Sequence, residues 1–295
     1  MSNGSAASCC LRPERVGRDG SLSLRFGRRA SNTVMTGCRF ELPLQVLAPI
    51  QQPDGSAYVL LLNPTGGVLG GDRLSTLIDL GPDTHACLST PSATRVYRTA
   101  GPAAILDTRI RVGPGAVLEY VPDLVIPHGG SALNQKLAIE LQPGSVALFA
   151  DGLAAGRLAH GERWSFREMV SRTVVTRGTK PLFIDRFLLR PRQIHPRRIN
   201  LMEDYNYLFT FGVFTDRTTE WEELRKEIDS IFSACPHVRG GAHLLASGGI
   251  ISRFLGQSAI EVRDTLQEVW QTARKVVCPS GIAEYPRLAV AAPAN

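Results

Sequence analysis

The sequence predicts a mainly β fold, a helical, solenoid-like stack of β-hairpins with two α-helices near the C-terminus. Three observations predict it. Twelve of the 19 prolines fall at or before Pro143, so the first half is punctuated as short strands joined by tight turns are. A unit then recurs: Ser75–Pro91, Asp107–Pro122 and Gln135–Asp151 each read as an alternating strand, a Pro-centred turn and a second β-prone run. The turn prolines Pro82, Pro114 and Pro143 lie 32 and 29 residues apart. One such hairpin cannot bury its apolar face alone, whereas three stacked side by side can. Beyond residue 215 the apolar period changes from that of a strand to that of a helix.

Taken in order, residues 1–18 carry no periodic pattern and read as a flexible tail. Residues 19–295 read as a single domain, strand-rich over 20–215 and helix–hairpin–helix over 218–277. Thr108 to Val112 alternate as a strand with one wet face does. Proline at the second turn position has its φ already set, and the Asp or Gly after it tolerates the bend. In the tail, Trp221, Leu224, Ile228, Ile231 and Phe232 share one helical face, with Thr218 or Thr219 as cap and Glu220, Glu222 and Glu223 suited to the N-terminus. Two short strands around Gly248-Gly249 follow. A second helix spans Ser258–Val277, burying Ile260, Val262, Leu266, Val269, Trp270 and Ala273.

Composition excludes several classes. With 43% apolar and 20% charged residues in 295, the chain is neither disordered nor a coiled coil. No apolar run approaches the roughly 18–20 residues that cross a bilayer. The opening residues contain no apolar signal segment, so the expectation is a cytoplasmic chain away from membranes. The six cysteines make no C-x-x-C pair, which suits reduced thiols. The net charge of +6 is concentrated: Arg177 to Arg198 hold seven basic residues against Asp185 alone. Such a stripe suits a polyanion or an acidic partner, but no nucleic-acid-binding signature accompanies it, and nucleic acid is not expected.

Four clusters carry possible chemistry. Leu62–Arg73 brackets two apolar residues with Gly66-Gly67 and Gly70-Gly71 and ends on Asp72-Arg73. It lacks the Lys-Ser/Thr of a P-loop and the spacing of a dinucleotide fingerprint, so a packed turn that holds the Asp72 carboxylate is the better reading. Thr90 to Arg98 sets small hydroxyl residues before Arg95 and Arg98, a polar lining. Asp151 and Glu162 flank a Gly-rich bend containing Arg157. They suit a hard or borderline divalent ion, or an acid–base pair in a β-rich hydrolase. Cys235 and His237 form the one soft-ligand pair. The six histidines are otherwise scattered, and neither a G-x-S-x-G elbow nor H-E-x-x-H is present.

These stretches, in this order, resemble the UreD/UreH family of urease accessory proteins. The resemblance rests on LNPTGGVLGGDRL at 62–74, LSTPSATRVYR at 88–98, VPDLVIPHGGS at 121–131, GRLAHGERWSF at 156–166 and GTKPLFIDRFLLRP at 178–191. It implies a non-enzymatic scaffold that conveys nickel to urease apoprotein together with UreF and the GTPase UreG. It also implies transient Ni(II) in place of a tightly bound cofactor. On that resemblance Asp72, Thr94, Asp151 and Glu162 become lining candidates for a nickel path. Gly66, Gly67, Gly70, Gly71, Arg95 and Arg157 become structural residues of the shared motifs. His128-Gly129-Gly130 stands where many relatives carry an aromatic residue.

Overall fold

The computed structural model describes residues 18–194, 196, 202–217 and 219–278. The tail expected at 1–18, with Cys9 and Cys10, lies outside them apart from Arg18, as do His195, Arg197, Arg198 and Thr218. The strands are, in chain order, β1 (Asp19–Arg29), β2 (Asn32–Glu41), β3 (Gln45–Val46), β4 (Ile50–Gln51), β5 (Ala57–Leu62), β6 (Gly67–Val68) and β7 (Arg73–Leu80). Next come β8 (His85–Ser89), β9 (Thr94–Val96), β10 (Ala104–Val112), β11 (Val117–Val121), β12 (Val125–Pro127), β13 (Ala132–Leu141) and β14 (Val146–Ala154). Then follow β15 (Glu168–Arg177), β16 (Lys180–Leu189), β17 (Tyr207–Thr215), helix α1 (Trp221–Ala234), β18 (Val238–Leu244), β19 (Ile250–Gly256) and helix α2 (Ala259–Val277). The predicted class is present: a β-solenoid of about four turns with two helices near the C-terminus.

The repeat works through its turns. In each unit the residue after proline has positive φ: Asp83 at 55°, Gly115 at 68° and Gly144 at 71°. With proline before it, this is the requirement of a type II turn, and glycine meets it without the steric cost of a Cβ. The turns also bond to one another, Asp83 N–H donating to the Pro114 carbonyl and Gly115 N–H to that of Pro143. The two strands flanking a turn do not pair with each other, however. β7, β10 and β13 lie in one sheet and β8, β11 and β14 in the other, each bonded in parallel to its counterpart in the next unit. The unit is therefore an arch rather than a hairpin, because the turn carries the chain from one sheet across to its neighbour.

Register stacks equivalent residues in layers. Leu24, Ile78, Ile110, Ile139 and Val175 are partnered strand by strand and form a buried apolar ladder between the sheets. One layer further toward the strand starts the ladder turns polar: Thr76 partners Thr108, which partners Leu137 and then Thr173. In the next layer Leu106 partners Gln135, which partners Ser171. A second apolar cluster, with Leu133, Leu153, Trp164 and Met169, closes the far side. A polar band is thus held between two oily ones.

The helices cover the outer face of the second sheet. Leu224, Ile228, Ile231 and Phe232 of α1, with Val262, Leu266, Val269, Trp270 and Ala273 of α2, pack on Val146, Leu148, Phe209 and Phe211. Ile260, expected in this core, is 54% exposed. It sits two residues before Val262, about 200° round the helix, and so faces outward. Thr219 does not cap α1, since its hydroxyl donates to the Arg217 carbonyl and Glu220 holds the cap position.

Candidate functional site

The polar band opens into two adjoining cavities, of about 390 and 110 Å³. Both are lined by Thr90, Thr94, Leu106, Thr108 and Tyr120, so they form one passage between the sheets. The larger begins under the Gly-rich turn at Asn63, Gly66 and Gly67, and the smaller ends at Gln135 and Asp151. The turn is built tightly. Asn63 Oδ1 accepts the Thr65 hydroxyl at 2.6 Å, and its Nδ2 donates to the Gly67 carbonyl at 2.8 Å. Gly67 pairs with Arg95 of β9, and a Cβ there would strike the Arg95 carbonyl and the Tyr97 ring. Only glycine permits that approach.

Asp151 projects inward from β14 because Ala150 and Gly152 on either side face the helices. Gln135 Nε2 donates to its Oδ1 at 2.9 Å, and the Ser171 hydroxyl donates to Oδ2 at 3.2 Å. Burial raises the Asp151 pKa and these hydrogen bonds partly offset the rise. Tyr120 faces the same space, its phenol pushed up to about 12, chiefly by burial. The passage therefore sets the Asp151 carboxylate and neutral oxygens of Thr, Gln and Tyr among largely apolar walls, with Lys136 and Asp123, the latter paired to Arg263 at 2.9 Å, also on the lining of the smaller cavity. Such oxygen donors suit loose, fast-exchanging contact with a cation.

The other predicted residues lie elsewhere. Asp72 is buried, but its two carboxylate oxygens accept the backbone N–H groups of Arg18 and Leu69, each at 2.8 Å, so it ties the Gly70-Gly71 turn to the start of β1. Glu162 accepts Arg157 through two contacts, at 2.9 and 2.5 Å, and the Gly129 N–H at 2.8 Å. The Arg157 guanidinium holds its carboxyl down to about 2. Asp72, Glu162 and Arg157 line neither cavity, and Asp151 and Glu162 share no hydrogen-bond partner among the described residues. Arg95 is exposed on β9. His128 is buried against Tyr97, ring centroids 5.0 Å apart, and burial holds its imidazole below the usual range.

Cys235 follows α1, and with His237 it lines a separate cavity of about 280 Å³ beside Glu261, Asp264 and Glu268 of α2. Thr265 Oγ1 donates to its sulfur at 3.7 Å. The basic stripe is partly matched by acids: Arg177 meets Asp216 at 3.6 Å and Arg190 meets Glu168 at 2.5 Å. No helix among the described residues is long and apolar enough to cross a membrane.

Sequence reasoning missed two features. Gln135 and Ser171 were not singled out: in the repeat Leu137, not Gln135, is the counterpart of Thr76 and Thr108, and Gln135 stands in register with Leu74 and Leu106, so no recurring polar position marks it. A buried network also joins Glu119 of β11 to His85 Nε2 at 2.6 Å, Trp270 Nε1 at 2.6 Å and Arg274 Nε at 2.8 Å.

The family model described as UreD urease accessory protein matches residues 18–289. The urease accessory protein UreD of Haloarcula marismortui is 33% identical over 88% of this chain and 87% of its own length. That of Cupriavidus necator is 29% identical over 90% and 92%, and that of a Picosynechococcus species 30% over 88% and 90%. On a match that spans nearly every element described above, this chain belongs to the UreD family of urease accessory proteins.

Proposed function

We propose that this chain is a non-catalytic cytoplasmic scaffold that conveys Ni(II) to urease apoprotein, in complex with a UreF-type accessory protein and a UreG-type GTPase. The observation that carries the reading is the internal passage between the sheets, with Thr90, Thr94, Thr108 and Tyr120 along it and the Asp151 carboxylate at its inner end. Nickel is cargo here and no tightly bound cofactor is required. A carboxylate beside a few oxygen donors attracts a divalent ion without trapping it, whereas a thiolate cage would hold it. GTP hydrolysis belongs to the partner, and the Gly-rich turn serves to shape the mouth of the passage. Thr94, at the junction of the two cavities, lies on the path; Asp72 and Glu162 support it by fixing the loops around it.

The test is genetic. A strain lacking the gene should still make urease, but urease poor in nickel and activity. Complementation with Asp151→Asn should restore co-purification of the partner proteins while nickel content, measured by atomic emission on purified urease, stays severalfold below that of the parent. Fully loaded urease in the deletion strain would reject the proposal.

A further inference from the structure

We propose that His85, Glu119 and Cys278 form a binding site for one divalent transition-metal ion, separate from the internal passage. One donor atom from each of the three lies within 4.8 Å of the others, a clustering found for no other set of three among the described residues. The site is on the opposite side of the second sheet from the passage. Tyr120 points into the passage, so Glu119, one residue earlier on β11, points out beneath α2, where Trp270 and Arg274 meet it. His85 comes from β8, and Cys278 directly follows the last residue of α2.

Three elements distant in sequence thus converge on an imidazole nitrogen, a carboxylate oxygen and a sulfur, the mixed set that zinc, cobalt and nickel accept. The surroundings resemble the outer contacts of a metal centre. Trp270 Nε1 donates to Glu119 Oε2, and Oε1 faces His85. Such second contacts orient ligands and tune affinity. Charges also balance. With Cys278 as a thiolate, it and the carboxylates of Glu119 and Asp54 match one divalent ion plus Arg274, whose guanidinium lies 3.6 Å from Asp54. The thiol proton leaves on binding, and the proton that His85 Nε2 shares with Glu119 leaves or moves to Nδ1.

A way in exists. A cavity of about 220 Å³ at the turn end of the solenoid reaches His85 and is walled by Asp54 and Asp83, with Arg28 and Arg217 also on its lining. Cys87, fully buried and the register partner of Glu119, adds a second sulfur on the same face of the sheet. The site would keep its ion: soft and imidazole donors under a helix exchange slowly, unlike the oxygens of the passage. It is therefore independent of nickel transfer and would fasten α2 to the solenoid.

The experiment is a Co(II) titration of the full-length chain with Cys9 and Cys10 replaced by Ser. One equivalent should give a thiolate-to-cobalt charge-transfer band that persists in Cys235→Ser and Asp151→Asn and is lost in Cys278→Ser with the far-UV circular dichroism unchanged. Trp270→Phe should weaken cobalt binding about tenfold. Absence of the band, its survival in Cys278→Ser or its loss in Cys235→Ser would overturn the proposal. If Cys278→Ser does not fold, alkylation of the parent decides: Co(II) should protect Cys278, identified by peptide mass, and unchanged labelling would refute the site.

Discussion

Glu119→Gln isolates the electrostatic role of the buried network beneath α2. The amide keeps the shape and can still accept from Trp270 Nε1 while its NH2 faces His85, so the loss is the charge itself. Glu119 is wholly buried and Arg274 is 3% exposed, with 2.8 Å between Nε and Oε2. Removing one member of a buried ion pair costs roughly 3–5 kcal/mol, because the other charge stays desolvated. Arg274 keeps Asp54 at 3.6 Å, which places the expected loss at the lower end, about 3 kcal/mol. For a chain of this size that is a fall in Tm of roughly 6–10 °C. The assay is urea unfolding in chelator-containing buffer, followed by tryptophan fluorescence. Glu119→Gln/Arg274→Met should lose less than the two single variants summed, since the stranded cation is gone while Asp54 keeps the Ser56 amide and hydroxyl as donors. A single variant within about 0.5 kcal/mol of the parent, or a double variant whose losses simply add, would refute the assignment.

Asp151→Asn should make the protein more stable at neutral pH. The Asp151 pKa is raised on folding, so its ionisation opposes the native state as pH rises through that value, and the gain should vanish below the ordinary carboxylate range; equal stability at pH 7 would contradict the burial argument. Glu162 behaves oppositely: its pKa is lowered to about 2, so its stabilisation is complete above the unfolded value near 4.5 and is lost as pH falls toward 2. Glu162→Gln should therefore flatten the acid limb of a stability–pH curve, by about 1 kcal/mol once solvent screening of the partly exposed Arg157 pair is allowed for; an unchanged limb would count against the pair. Gly67→Val should break the pairing of β6 with β9 through contact with the Arg95 carbonyl, lowering Tm and nickel delivery together. Wild-type thermal stability in that variant would show that the turn has room to spare.

The solenoid was legible because its turns carry their own chemistry: proline, then a residue able to take positive φ, at Pro82-Asp83, Pro114-Gly115 and Pro143-Gly144. Whether the flanking strands pair with each other was not legible, since Thr108 to Val112 alternate identically in a hairpin and in an arch. Pairing is a tertiary choice, and only register reveals it. Thr94 and Asp151 enter as lining candidates through the family resemblance rather than through their own spacing, and both border the internal cavities. Asp72 and Glu162 are equally visible as acids, yet their oxygens are occupied by amides and by Arg157 only once the loops fold. Glu119 was hidden for a related reason. Within β11 it reads as a residue on the wet face, and the helix that covers it lies about 150 residues downstream. Ile260 shows the same limit from the other side, since apolar character alone does not tell which face of α2 meets the sheet.

Both parallel ladders end in strands that run the other way. β2 and β16 flank the first sheet, while β17, β19 and β18 continue the second on one side and β3 and β4 flank β5 on the other. A neighbouring molecule arriving at such a margin finds reversed polarity and charged side chains, Arg39 and Glu41 on β2 and Lys180 and Arg186 on β16. Coil cannot be laid upon coil from one copy to the next. The architecture most closely related to a growing fibre is thereby held to a fixed number of windings, and the length of its interior is set by the chain itself.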